Sequence, residues 1–260
     1  MYADWNVSKL ESSFRVRIAA QPESSLQFPA AALLHKEEGK RFLREAGNQM
    51  GSPSYVVTAS LFFKRFLSLL SAALYCMSVR SVELNASLPN VTISGETDWK
   101  LPCFYLKEAG GWRPVPGERD SWRTQVTERL IRDTIRPLVS ALASASGIHA
   151  NVLWAHAAYI VHYYYDEWMR EAETEELRQQ IADDFRFLTK EADPKWFGRK
   201  DGNPLDVSHT VIPHPNDSAH PIRIRKQCCF QYRLSGGKCC YTCPMLNEEK
   251  RMEQILAYGH

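Results

Sequence analysis

Residues 55–77 read YVVTASLFFKRFLSLLSAALYCM, a run dominated by apolar side chains. Ser52 and Pro53 precede it, the cap-then-proline start of a long helix. Its greasiest part, residues 61–77, is interrupted by Lys64 and Arg65. What is left is too short to cross a hydrocarbon core about 30 Å thick. The run therefore reads as a buried helix, and the chain as one that does not span a membrane.

Working outward, an earlier helix is expected over residues 30–46. Beyond Met77 the pattern changes to short β-rich pieces, residues 82–87, Val91–Ser94 and Cys103–Leu106, separated by Pro89-Asn90 and Gly95. They predict a small sheet. After Pro114, Pro116 and Gly117 the apolar positions Val126, Leu130, Ile131, Ile135, Leu138, Val139 and Leu142 recur at helical spacing, with Ser121 as N-cap and Gly147 as stop. Pro137 should kink that helix or split it in two. Residues 149–168 put Trp154, Ala158, Val161 and Tyr165 on one helical face, and residues 174–190 turn Leu177, Ile181, Phe185 and Leu188 inward. Five of the 14 prolines then fall between residues 194 and 221, the mark of a loop or linker. It leads to a terminal segment with five of the seven cysteines, too short to fold without a staple or a docking surface. The expected fold class is α+β: a mainly α-helical body with a small β-sheet, residues 1–215, and a short C-terminal module, residues 216–260, packed onto it.

A chain of 260 residues, 44% hydrophobic, can bury a sizeable core as one large domain or one domain with a small appendage. Lys and Arg number 32 against 30 Asp and Glu, so the net charge of +2 gives no whole-molecule reason to expect nucleic acid or an anionic membrane. The opening residues MYADWNVSKLESSFRVR have no apolar run after a basic start, so no secretory signal is expected and the location should be cytoplasmic. In a reducing compartment, clustered thiols point to metal or redox chemistry rather than to disulfides. The Asn-x-Ser/Thr tripeptides at Asn85, Asn90 and Asn216 then carry no meaning, and the isolated Cys76 and Cys103 read as buried thiols.

Residues 226–244 read KQCCFQYRLSGGKCCYTCP and contain the spacing C-C-x10-C-x2-C in Cys228, Cys229, Cys240 and Cys243. Cys240 and Cys243 can close a tight turn around one metal, and Cys228 and Cys229 complete a four-thiolate set. Soft thiolates in tetrahedral array select zinc or iron-sulfur over hard, oxygen-loving ions. Spacing alone does not separate the two, nor does it exclude unligated thiols. An adjacent Cys-Cys pair is an awkward half of a zinc knuckle, because neighbouring side chains of an extended strand point to opposite sides. That favours the wider two-iron rhomb.

The segment resembles the C-terminal signature of the FhuF-like siderophore-iron reductases. Cys228, Cys229, Cys240 and Cys243 match its C-C-x10-C-x2-C, and Tyr232-Arg233-Leu234 stands inside the spacer as in the family. Upstream, Arg136-Pro-Leu-Val and Val152-Leu-Trp154 with the Tyr-rich stretch after them are similar to the family's helical core, whereas His156 stands where the family commonly has Asn. The resemblance implies one [2Fe-2S] cluster per chain on the four cysteines, making the C-terminal module an iron-sulfur module. It also implies one-electron reduction of siderophore-bound Fe(III), with Fe(II) released in the cytoplasm. Hard oxygen donors hold Fe(III) tightly and Fe(II) weakly, and an all-cysteine cluster near about −400 mV is a suitable electron source. No G-x-G-x-x-G, P-loop or flavin fingerprint is present, so an external one-electron donor, a ferredoxin, a flavodoxin or a separate reductase, is implied.

The residues from 218 to 247 include five basic side chains, Arg223, Arg225, Lys226, Arg233 and Lys238, and no acidic one. Arg223, Arg225, Lys226 and Arg233 are thereby candidates to contact an anionic ferric complex or an acidic partner. The plainer reading is that they offset the charge of a four-thiolate cluster, which is formally dianionic when oxidised. The aromatic stripe of Trp154, Tyr159, Tyr163, Tyr164, Tyr165 and Trp168 reads first as core packing, His156 and His162 as hydrogen-bonded core or surface residues, and His209, His214 and His220 as members of a solvated loop. Two rival functions are a zinc-stabilised binding protein and an iron-sulfur redox sensor. A direct transcriptional sensor would need a DNA-reading element, and none is recognisable.

Overall fold

The computed structural model describes residues 7–95 and 99–258 apart from 21, 23–25, 218 and 219. The first six residues of the N-terminal stretch and Ser218 of the Asn216 tripeptide lie outside the described residues. In chain order the elements are α1 (Val7–Phe14), β1 (Val16–Ile18), β2 (Gln27–Pro29), α2 (Lys36–Met50), α3 (Tyr55–Arg80), β3 (Val91–Ser94), β4 (Cys103–Leu106), α4 (Arg119–Arg129), α5 (Arg136–Ser146), α6 (Ala150–Glu171), α7 (Glu175–Arg186), β5 (Val211–Ile212), β6 (Ile222–Arg223) and α8 (Glu248–Tyr258). The architecture is mainly helical with a small sheet, as the pattern predicts.

α3 is the axis of the body. Ser54, rather than Ser52, caps it by accepting a hydrogen bond from Val57 N, so Pro53 stands just before the cap instead of inside the first turn. Apolar side chains cover nearly all its faces, so neighbours must surround it. It packs against α1, α2, α5, α6 and α7, and Phe62, Phe63, Phe66 and Leu67 are fully buried. By length and composition this helix could cross a membrane. The expectation that it is too short fails, because residues 55–80 form one unbroken helix. The expectation that it is a buried core helix holds.

The four-stranded sheet has the order β1-β4-β3-β2, with β1 parallel to β4 and the other pairs antiparallel. The strands at Val91–Ser94 and Cys103–Leu106 are where the sequence puts them, and Cys103 and Cys76 are buried. Residues 82–87 are not a strand; they make one isolated bridge, Leu84 to Gly110. β1 and β2 went unread because three residues are too few for a period-2 signal. Phe28 of β2 meets Phe42 of α2, which in turn meets Phe62 and Trp99, so this aromatic cluster ties the sheet to α3.

Pro137 is accommodated by a π-helical turn, Leu130–Ile135, between α4 and α5, and Gly147 ends α5 at φ 78°. Glu118 rather than Ser121 precedes α4. The helix expected over residues 30–46 is a 3₁₀ turn, Ala30–Leu34, followed by α2. β5 pairs with β6 across residue 215, and α8 closes the chain without having been read from the sequence.

One buried charge cluster joins α4 to α7. Asp184 is fully buried and accepts two 2.7 Å hydrogen bonds from Arg119 Nη1 and Nη2, with Arg123 Nη1 at 3.4 Å. Removing one partner of such a set leaves the others unpaired. Asp184→Asn should lower unfolding stability by about 3 kcal/mol, read from the shift of the urea midpoint; an unchanged midpoint would show that solvent takes over both guanidinium groups.

Candidate functional site

The cysteine segment is held against α3 and α6 by a short set of polar contacts. Ser60 of α3 donates to the Cys229 carbonyl at 3.1 Å, and its Oγ also lies 3.0 Å from His156 Nε2 of α6. His156 is buried, and burial followed by the nearby charges of Arg225 and Lys64 pushes its pKa down to about 3. It is a neutral, hydrogen-bonded core histidine. Cys229 itself belongs to the apolar core, with Phe230 and Leu234 packed against it.

The spacer from Phe230 to Lys238 doubles back to bring the two cysteine pairs together. Phe230 takes φ 64° and Gly236 φ 69°. A Cβ on Gly237 would come within 2.2 Å of the Gln231 carbonyl oxygen, so only glycine fits there. Arg251 of α8 is buried and donates to the carbonyls of Tyr241 and, at 2.8 Å, Leu246, which clamps the segment around Cys243 from below.

Five thiols result, in two groups. Cys243 Sγ lies 3.5 Å from Cys228 Sγ, and Cys239 also contacts Cys243. Cys229 Sγ faces Lys64 Nζ at 3.9 Å, and Cys240 Sγ lies 3.3 Å from Thr242 Oγ1. Burial pushes the Cys228 thiol up to about 12 against a lowering hydrogen bond from Phe230 N, and Cys239 shifts the same way, again first by burial. Among the described residues no three His, Cys, Asp or Glu side chains converge closely enough to hold one metal ion.

Cations surround these thiols. Arg225 is buried with its guanidinium 3.9 Å from the centre of the Tyr159 ring, its Nε donates to Thr242 Oγ1 at 3.2 Å, and its buried Nη1 has no hydrogen-bond partner. Lys64 and Arg65 are half-buried on α3. Desolvation is the largest effect on both and lowers their pKa values, and Cys229 is the main group opposing it. Among the described residues none of these three cations pairs with a carboxylate. A soft donor set ringed by unpaired positive charge and an orphaned guanidinium N–H suits a bound group with net negative charge, which four thiolates around two irons would be. In donor type and charge the residues fit such a group, although their sulfurs stand in two groups rather than converged on one point.

The four basic residues singled out from the sequence separate. Arg223 is ion-paired with Asp166, Arg225 is buried beneath the cysteines, and Lys226 and Arg233 are exposed. The aromatic stripe is core at Trp154, Tyr165 and Trp168, but Tyr159 and Tyr163 line a cavity of about 370 Å³ with Asp166, Arg223 and Tyr241-Thr242 of the cysteine turn. His214 and His220 line it too, whereas His209, expected in a solvated loop, packs its ring on Tyr159 and His162. Sequence reasoning missed Ser60, Lys64, Arg65 and Arg251. A signal existed for two of them: a Lys-Arg pair inside an apolar helix is costly unless it meets an anion.

A family model described as "Ferric iron reductase FhuF-like transporter" matches residues 60–210, more than half of the chain and ending before the cysteines. A curated relative from Escherichia coli (strain K12) named "Ferric siderophore reductase" is 25% identical over 121 residues, covering 45% of this chain and 40% of that protein. The chain thus aligns with less than half of the relative's length.

The depressed His156 fixes the sign of one pH effect. The unfolded chain binds a proton near the ordinary 6.5 and the folded one only near about 3, so stability is full above 6.5 and falls as pH drops toward 3. His162 and His209 shift in the same direction. His156→Asn should therefore make the loss of urea stability between about pH 7.5 and about pH 5 shallower without abolishing it. An equally steep loss in the variant would contradict a neutral buried His156.

Proposed function

The chain belongs to the FhuF-like ferric iron reductase family, and from that premise we propose that it is a ferric-siderophore reductase whose Cys228, Cys229, Cys240 and Cys243 hold one [2Fe-2S] cluster. The observation that carries the reading is the set of cations, Lys64, Arg65 and Arg225, gathered at the cysteines with no carboxylate to pair them among the described residues. When bound, an all-cysteine cluster supplies a single electron at low potential. The substrate is Fe(III) in a hard oxygen cage, and one electron makes it Fe(II), which those oxygens hold weakly.

The protein's own residues then have separable tasks. Ser60 and His156 fix the backbone at Cys229, and Arg251 fixes it at Tyr241. Lys64 and Arg225 offset thiolate charge. The cavity between Tyr159, Tyr163 and Tyr241 is assigned to the organic shell of the ferric complex, because Tyr241 and Thr242 make it contiguous with the cysteine turn. Its two arginines are already paired, Arg223 with Asp166 and Arg170 with Glu167, so shape and aromatic contact rather than net charge would select the ligand there. The electron comes from a separate one-electron donor, such as a ferredoxin or flavodoxin, and the reduction and Fe(II) release belong in the cytoplasm. The division into a body to residue 215 and a cluster module from 216 is kept as a functional one.

Protein produced with ample iron and handled without oxygen should be red-brown, with about two irons and two acid-labile sulfides per chain; stoichiometric zinc and no visible absorption would sink the assignment in favour of a zinc-stabilised module. The fourth ligand is tested on the adjacent pair. The x10 and x2 spacings select Cys240, while Cys239 is the thiol in contact with Cys243. Cys240→Ser should lose or shift the visible spectrum and abolish electron transfer, and Cys239→Ser should keep both; the reverse pattern would move the ligand set by one residue.

A further inference from the structure

The cysteine set has one open edge. Cys239 and Cys240 are partly exposed, whereas Cys228, Cys229 and Cys243 are buried. Lys238 precedes the open pair and Tyr241 follows it, and both are exposed. Backbone hydrogen bonds bring two more cations to this edge. Gly237 N donates to the Leu234 carbonyl at 2.9 Å, closing a four-residue turn whose ends lie less than about 7 Å apart, so Arg233 and Lys238 leave it side by side. Beyond the cysteine pair, Arg225 N donates to the Thr242 carbonyl at 3.0 Å, which sets Lys226 beside Tyr241. Lys238 and Tyr241 are separated by at most about 11 Å of chain. Arg233, Lys238 and Lys226 thus border one stretch of surface with Cys239 and Cys240 in its middle.

Two observations give this surface a chemical preference. Lys226, Arg233 and Lys238 are exposed, and none of them has an ion-pair partner among the described residues. Exposed cations elsewhere are matched, Arg41 by Glu38, Arg178 by Glu175 and Arg186 by Glu191. The first acidic side chains after the segment, Glu248 and Glu249 of α8, pair with none of the three. Offsetting the charge of a bound cluster does not account for them, because the half-buried Lys64 and Arg65 and the buried Arg225 already meet the cysteines, and a solvated cation is screened. The second observation is apolar. Tyr232, Tyr241 and Met245 of the same segment are exposed, and tyrosine, methionine and arginine are enriched where proteins meet.

We propose that this face receives an acidic electron-carrier protein, which brings its own redox group against Cys239 and Cys240. The inference rests on the proposed reduction, to which it adds the chemistry of the donor and the point at which the electron enters. One electron leaves the reduced carrier, the group held by the cysteines takes it, and the carrier departs oxidised. Lys226, Arg233 and Lys238 do not line the aromatic cavity assigned to the ferric complex, so the donor and the substrate are recognised by different side chains. A contact of this kind is small, since redox encounters bury less than about 1,200 Å² in total. Unpaired charge around a few apolar side chains speeds the encounter without making the complex long-lived.

The full chain, with its iron and sulfide measured, is mixed in stopped flow with a reduced acidic plant-type ferredoxin and, in parallel, with reduced methyl viologen, a small cation. The combined variant Lys226→Gln/Arg233→Gln/Lys238→Gln should be reduced by the ferredoxin about tenfold more slowly at low ionic strength, with a flatter salt dependence, and by the viologen no more slowly than the parent. Arg41→Gln/Arg178→Gln/Arg186→Gln makes the same charge change on other faces and should behave as the parent does. Affinities for the oxidised ferredoxin and for an acidic flavodoxin are measured on the same samples, with a loss expected only in the first variant. Equal ferredoxin rates and affinities in the parent and the first variant, no saturable binding of either carrier by the parent, or an equal slowing with viologen would overturn the docking face. A metal-free chain that still binds the carriers through these three residues would refute the cluster and leave the face standing.

Discussion

Lys64 lies 3.9 Å from the Cys229 sulfur, on a helix whose other neighbours are almost all apolar, and the rest of the site is organised by that contact. Taking an ammonium group partly out of water costs several kcal/mol. One thiolate at about 4 Å returns roughly 4 kcal/mol at an effective dielectric constant of 20, so a single charged sulfur can just offset it. A protonated thiol cannot. Burial pushes the Cys228 thiol up to about 12 and raises Cys239 as well, so burial opposes the charged form at these two sulfurs while the cations beside the segment lack a carboxylate among the described residues. A metal that forces its thiol ligands to ionise would bring the two halves into balance. Under the proposed reading, α3 is thus both the axis of the helical body and the counter-charge of the cluster.

That dual use explains why the C-terminal segment is anchored as it is. The segment carries little regular structure before α8, and its own apolar content is small. Its position is fixed by insertion of Cys229 into the core, by the Ser60 hydrogen bond to the Cys229 carbonyl, and by Arg251 on the Tyr241 carbonyl. The two hydrogen bonds are directed at backbone carbonyls, so they fix the chain without engaging the sulfurs. His156, neutral and buried behind Ser60, engages the serine hydroxyl through Nε2.

The sequence was most legible where one residue type repeats over a long stretch. The 26 residues of α3, the periodic apolar positions of α5 to α7 and the C-C-x10-C-x2-C spacing could all be read directly. Short elements were not. β1 and β2 have three residues each, and residues 82–87 have strand composition but are used as a connection. The basic residues failed as a guide for a different reason. Linear clustering suggested one patch at Arg223, Arg225, Lys226 and Arg233, yet Arg225 turns inward and Arg223 is spent on Asp166. Of the three cations that meet the cysteines without a carboxylate among the described residues, only Arg225 belongs to that cluster; Lys64 and Arg65 come from α3, more than 160 residues upstream of Cys229. Such a juxtaposition has no local signature beyond the oddity of charges inside an apolar run.

That oddity has a general use. A Lys-Arg pair in a core helix first invites the question of whether the helix crosses a membrane, because charges interrupt the apolar run. The better question is what the charges face. Here α3 is long and apolar enough to cross a membrane by length and composition, and most of it is buried within the body. Lys64 and Arg65 sit mid-helix between Ser60 and Ser68, and Ser60 and Lys64 meet the cysteine segment. Polar residues placed at one depth along an otherwise greasy helix mark the level at which a functional layer crosses the body, and in this chain that layer contains Cys229.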